Sequence, residues 1–161
     1  MIPGFVLAGG ASKRMGRDKA LLPIQGRTMA ERTAGVLAEA GCDPVTLVGR
    51  QAQLGALGLP VLRDRAEGYH PLWGVAAALE TLTSPFALFA PCDLVQLSAT
   101  ALRRLIAFGG PCVAQGPERV HPLLAALPRD PAATARSLAQ PGAPAPPLVP
   151  NIARASCRAR V

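Results

Sequence analysis

Residues 7–22 read Leu7-Ala-Gly-Gly-Ala-Ser-Lys-Arg-Met-Gly-Arg-Asp-Lys-Ala-Leu-Leu22. The run entering this stretch, Gly4 to Leu7, is apolar without polar alternation, which suits a parallel strand buried on both faces. In an open α/β sheet the ligand crevice lies beyond the carboxyl ends of the strands, where the loop after Leu7 must sit. Gly9 and Gly10 permit positive φ and close backbone approach, so that successive N–H groups can face phosphate oxygens. Arg14, Arg17 and Lys19 add cationic donors. Five residues separate Gly10 from Gly16, and Lys19 has no Ser or Thr behind it, so the loop is not a Walker P-loop. Nor does it have the alternating glycines of a dinucleotide fingerprint, which argues against oxidoreductase chemistry.

Working outward, Thr28 and Glu31 form a T-x-x-E capping box. Met29, Thr33, Val36, Leu37 and Ala40 follow at helical spacing up to Gly41, predicting a helix from about Met29 to Ala40. Further strands are expected at Pro44–Val48, Leu59–Leu62 and Phe86–Ala90, with helices at Gly74–Thr81 and Ser98–Phe108 between and after them. This alternation predicts an α/β fold with a mostly parallel sheet and helices on both sides. Cys112–Gln115 and Val120–Leu127 read as paired strands. A weak helix follows, then a loop or linker at Gln140-Pro-Gly-Ala-Pro-Ala-Pro-Pro147. Residues 1–152 are read as one domain, and the arginine-bearing stretch from Ala153 to Val161 as a poorly ordered tail.

The chain has 161 residues, enough for one compact core without disulfides. It is 50% hydrophobic but only 4% aromatic, which predicts an aliphatic core. No apolar run approaches the ~20 residues of a membrane span, and a cytoplasmic protein is expected. The four cysteines, Cys42, Cys92, Cys112 and Cys157, lack metal-ligand spacing and read as reduced, buried thiols. The net charge of +7 admits nucleic acid, a membrane surface or an anionic small molecule as partner. Neither exposed-aromatic patterning nor a known motif supports nucleic acid. All but two of the 17 basic residues are arginine, and the two lysines, Lys13 and Lys19, both fall in the glycine loop. A compact ammonium suits contact with several phosphate oxygens, which singles out Lys19.

Phosphoryl transfer between polyanions needs a divalent cation, and magnesium prefers one or two carboxylates with phosphate oxygens and water. Asp93 directly follows the strand expected at Phe86–Ala90 and so would face the same crevice as the glycine loop. Asp64 likewise follows the strand ending at Leu62. His70 and His121 are too far apart in sequence to be proposed as a pair.

The string from Leu7 to Lys19 resembles the nucleotidyltransferase signature L-A-[AG]-G-x-[GS]-x-R-[ML]-G followed by Lys. Ser12 and the D-K-A-L-L continuation make it similar to the molybdenum cofactor guanylyltransferases (molybdopterin-guanine dinucleotide biosynthesis protein A). The resemblance implies a Rossmann-like three-layer α/β/α sandwich of the nucleotide-diphospho-sugar transferase type. It also implies GMP transfer from GTP to molybdopterin or its molybdenum-loaded form, with Mg2+ as cofactor. Transient contact with other pathway proteins or apo-molybdoenzymes would follow; nucleic acid and membranes are not expected partners.

By the same resemblance, Leu7, Ala8, Gly9 and Gly10 contact base and phosphates, and Arg14 and Lys19 stabilise the charge on the reacting phosphates. Asp93 holds the metal and the nucleotide. Asp64 contacts nucleotide, and Gly74, within Pro71-Leu72-Trp73-Gly74, lies beside the base. His121 and Asn151 fall on the second-substrate side. Ala153 and Ala155 depart from the family's N-x-N-[ST]-P segment, and Val48-Gly49-Arg50 offers no asparagine where the family has a nucleotide contact. Cytidylyl transfer to the same cofactor, transfer to a sugar phosphate, and a non-catalytic GTP-binding regulatory domain remain open. Ala8-Gly9-Gly10, rather than Ala-Ala-Gly, leans towards guanine.

Overall fold

The computed structural model describes residues 1–9, 18–50, 52–63, 71–116, 120–129 and 157–160. A seven-stranded sheet organises them. Within it β1 (Ile2–Leu7) is flanked in parallel by β4 (Cys42–Val48) and by the central strand β6 (Phe86–Pro91). Beyond β4 lies parallel β5 (Val61–Leu62). Beyond β6 lie antiparallel β8 (Val120–Pro128), then β7 (Cys112–Gln115), then β9 (Cys157–Arg160), parallel to β7. A hairpin of β2 (Pro23–Ile24) and β3 (Arg27–Thr28) stands apart. Its turn residues Gln25 and Gly26 both have positive φ, at 50° and 81°, as a two-residue turn matched to strand twist requires.

Alternation along β1 and β6 builds two cores. Val6, Leu88 and Ala90 face one side, and Phe5, Leu7, Ala87 and Phe89 the other. The first side is covered by α1 (Met29–Glu39) and α3 (Ala99–Ala107), through Ala34, Leu37, Leu102 and Leu105. The second is covered by α2 (Pro71–Glu80), through Leu72, Val75 and Leu79. The result is the three-layer sandwich with an aliphatic interior. Its main aromatic contact is the stacked pair Phe5 and Phe89, register partners with ring centroids 5.2 Å apart.

The capping box is present in full, with Thr28 Oγ1 accepting from the Glu31 N–H and Glu31 accepting from the Thr28 N–H. Gly41, at φ 101°, ends α1. Ser98 caps α3 through the Ala101 N–H. α2 starts a turn earlier than its apolar spacing suggests, because Pro71 occupies the first helical position, where a missing N–H costs nothing.

The end of the chain differs from expectation. Cys157–Arg160, placed in a poorly ordered tail by composition, pairs in parallel with all of β7. An open sheet edge recruits a strand through backbone groups, which composition does not report. The weak helix and the Pro-rich linker expected between β8 and β9 lie outside the described residues. Among the described residues, no helix is long and apolar enough to cross a membrane.

Candidate active site at the carboxyl edge of the sheet

After β1 the chain runs outward to β4 and β5 on one side, then crosses to β6 on the other. The carboxyl ends of β1 and β6 therefore flank a switch point, where α/β sheets open a crevice. The two ends are tied together. Leu7 pairs with Pro91, and the Cys92 N–H donates to the Leu7 carbonyl at 3.2 Å. On the other flank the Ala8 N–H donates to the Val48 carbonyl at 2.9 Å. The chain thus leaves the sheet at Gly9 from a rigid, three-strand support. Gly9 is exposed, and its φ is not positive, so the wider freedom that glycine permits is not used there. A Cβ there would meet only ordinary contacts, 3.7 Å from Gly49 Cα. Gly10, Arg14, Asp64 and Asn151 lie outside the described residues.

Lys19 opens a 3-10 turn, Lys19–Leu21, whose side-chain packing is done by the fully buried Ala20. Asp18 caps the turn, its Oδ1 accepting from the Ala20 N–H at 3.1 Å. Its Oδ2 is buried without a hydrogen-bond partner among the described residues. Asp93 stands exposed in the turn after β6.

Residues 18 and 19, remote in sequence from residue 93, act with it on the buried thiol of Cys92. Burial first, and then the nearby Asp93 and Asp18 carboxylates, push that thiol up to about 12 against the opposing charge of Lys19. Burial alone raises Cys42 to about 11. Both thiols sit above the unfolded value of 9.0, so their neutral forms stabilise the fold fully below pH 9. That contribution is lost as pH rises through 9 towards the folded values. Denaturant midpoints are therefore expected to fall between pH 9 and 11, and a Cys42→Ala/Cys92→Ala variant to show a shallower fall. Cys42 and Cys92, both buried, should resist a thiol reagent at pH 8 until the protein is unfolded, as read by mass spectrometry.

Gly74 sits where α2 crosses β4. A Cβ there would lie 2.7 Å from Val48 Cγ1, and Val48 is only 2% exposed. Alanine favours a helix over glycine by ~1 kcal/mol, but overpacking a core contact costs ~1–3 kcal/mol, so the clash wins. Gly74→Ala is expected to lower stability by about 1 kcal/mol. It should also raise the KM for nucleotide, since Val48 holds Ala8. Thermal melts and steady-state kinetics would check both.

His121 lies near the start of β8, half-buried. Because β8 runs antiparallel to β6, this end of β8 shares the sheet edge where β6 delivers Asp93. Three residues escaped the sequence reading as site residues: Asp18, Arg32 and Thr33. The only available signal was a threonine on the apolar face of α1, a hydroxyl that must find a partner when buried. Thr33 Oγ1 donates to the Cys92 carbonyl at 3.4 Å, and Arg32 Nη1 donates to the Val95 carbonyl.

Among the described residues no group of three or more His, Cys, Asp or Glu side chains could hold a metal ion. The exposed Asp93 and the orphaned Asp18 Oδ2 fit instead a hard divalent ion that takes one or two protein carboxylates and completes its shell with phosphate and water.

Residues 4–154 match the model of the MobA-like NTP transferase domain. A relative named "Probable molybdenum cofactor guanylyltransferase" from Opitutus terrae is 38% identical over 83% of this chain and 70% of its own. A "Molybdenum cofactor guanylyltransferase" from Xanthomonas euvesicatoria is 36% identical over 65% of this chain, which spans about half, 53%, of that protein's length. The crystal structure of molybdopterin-guanine dinucleotide biosynthesis protein A from Archaeoglobus fulgidus superposes with a TM-score of 0.67 over 86% of this chain and 72% of its own. At 17% identity that likeness concerns the fold. The signature loop, the sheet order and these similarities agree: the chain belongs to the MobA-like NTP transferase domain family, in the company of the molybdenum cofactor guanylyltransferases.

Proposed function

We propose that this protein transfers GMP from GTP to molybdopterin, or to its molybdenum-loaded form, releasing pyrophosphate and leaving a guanine dinucleotide cofactor. The observation that carries the reading is the convergence of the Leu7–Gly9 strand end, Lys19 and Asp93 at the switch point between β1 and β6. Names borne by relatives at 38% and 36% identity support guanylyl over cytidylyl or sugar-phosphate transfer. Residues 1–152 are the nucleotidyltransferase domain in this reading, and the setting is the cytoplasm.

In the transfer, a phosphate oxygen of the pterin bonds to the α-phosphorus of GTP as the bond to the β-phosphate oxygen breaks. The attacking monoester has a second pKa of ~6 and is largely anionic at neutral pH, so no protein base is needed. Catalysis is then positioning and charge neutralisation. Gly9 and Gly10 present backbone N–H groups to the phosphates, and Leu7 and Ala8, whose carbonyl and N–H respectively are taken up by the sheet, border the base. Arg14 and Lys19 stabilise charge on the α-phosphate and the departing pyrophosphate. Asp64 and Gly74 border the nucleoside, and His121 and Asn151 border the pterin substrate. Asp93, together with Asp18 Oδ2, which is unpartnered among the described residues, would hold Mg2+. When bound, that ion supplies further neutralisation of the triphosphate. The product would pass to apo-molybdoenzymes or other proteins of the pathway through transient contacts.

The test is pyrophosphate release with magnesium and molybdenum-loaded cofactor, comparing GTP, CTP, ATP and UTP. GTP-selective release is expected. CTP preference would move the assignment to cytidylyl transfer, and GTP binding without release would leave a regulatory domain.

A further inference from the structure

Asp93 sits in an exposed turn, a poor place for a group that must be held to a fraction of an ångström. The chain around it is nevertheless pinned on both sides. Before it, the Cys92 N–H is bound to the Leu7 carbonyl and the Cys92 carbonyl accepts from Thr33 Oγ1 at 3.4 Å. After it, the Val95 carbonyl accepts from Arg32, while the Val95 N–H closes the turn onto the Asp93 carbonyl at 3.1 Å. Both outside donors come from successive residues of α1. Thr33 is 3% exposed among apolar neighbours, where a hydroxyl without a partner would be costly, so its bond to Cys92 has a defined place.

The same helix is anchored at its other end to the Lys19 turn. The Met29 N–H donates to the Leu22 carbonyl at 3.0 Å, and the Leu22 N–H donates to the Lys19 carbonyl at 3.1 Å. One rigid element therefore touches the backbone on either side of Asp93 and the turn that presents Lys19.

We propose that α1 is a brace for the metal-side turn, with Arg32 and Thr33 as positioning residues that hold the Asp93 carboxylate at a fixed distance from Lys19. The proposal rests on the reading of Asp93 as a metal ligand. Neither Arg32 nor Thr33 touches substrate in it; each acts through the backbone that carries Asp93. Loss of the brace lets the turn shift, and misplacing a catalytic group by ~1 Å can cost up to ~100-fold in rate.

Thr33→Val removes the donor while keeping shape, Thr33→Ser keeps the donor, and Arg32→Met removes the second donor from a half-buried position. Amide hydrogen exchange at residues 92–97 is expected to quicken by roughly fivefold or more in Thr33→Val/Arg32→Met, with β1 and β4 unchanged. In steady-state pyrophosphate release, kcat should fall roughly tenfold or more with the KM for GTP within about twofold. Manganese titration in the presence of a non-hydrolysable GTP analogue should weaken in parallel, and Thr33→Ser should restore all three readouts. A folded double variant with wild-type exchange at 92–97 and wild-type kcat would overturn the brace. If Thr33→Val does not fold, Arg32→Met alone carries the same comparison. A wild-type protein that releases no pyrophosphate, yet whose variants show the exchange effect, keeps the brace and removes the functional reading.

Discussion

Lys19→Ala is expected to lower kcat by roughly 10²–10³-fold, the usual cost of removing one preorganised donor from a developing anion, while the protein melts at the wild-type temperature. The separation of effects follows from the turn. The side chain of Lys19 is exposed, whereas packing is done by Ala20 and capping by Asp18, so the alanine variant loses charge without losing structure. The KM for GTP should rise much less than kcat falls, because the ammonium acts mainly on charge that develops as pyrophosphate departs. Lys19→Arg should recover little, since a planar guanidinium cannot replace a compact ammonium among several phosphate oxygens. Wild-type turnover in a folded Lys19→Ala protein would remove this residue from the mechanism.

Asp93→Ala is the second large effect. The carboxylate is exposed, and the turn that carries it is held by backbone groups, so the fold should survive its loss. Charge stabilisation by a bound metal is worth several kcal/mol, and each ~1.4 kcal/mol is a factor of ten in rate. Turnover is therefore expected to drop by roughly 10²–10³-fold. Manganese affinity measured beside a GTP analogue should fall by about tenfold or more, because such an ion draws on only one or two protein carboxylates. Calorimetric titrations indistinguishable from wild type would exclude Asp93 as the metal ligand. If Asp18 Oδ2 contributes, Asp18→Asn should weaken the same titration less severely, and the double variant more than either.

Much of this protein was legible from its residues in order. The apolar run before Leu7, the capping box at Thr28 and Glu31, and the spacing of α1 and α3 are local patterns, written within one or two helical turns. So was the glycine loop, because a sharp departure from a buried strand and a cluster of cations occupy consecutive positions. Asp93 could be placed at the crevice because a parallel strand delivers the next residue to the sheet's carboxyl edge whatever its neighbours are.

What no local pattern carries is partnership across the sheet. Gly9 can take a positive φ but does not, and the direction in which the chain leaves the sheet is set by the bond from Ala8 to Val48 across it. Gly74, expected beside the base, is also the point where α2 closes on Val48, a constraint that no local pattern shows. Cys157–Arg160 looked like a tail, yet the open edge of β7 offers it a full set of backbone partners. The pairing of Thr33 and Arg32 with the Asp93 turn spans about 60 residues of chain, and only the crossover that lays α1 beside the end of β6 brings them together. Sequence determined the elements, the direction of the strands and the chemical character of the loop, since each depends on neighbours along the chain. Tertiary structure decided which of those residues hold one another in place, because hydrogen bonds and packing between elements depend on topology that periodicity does not encode.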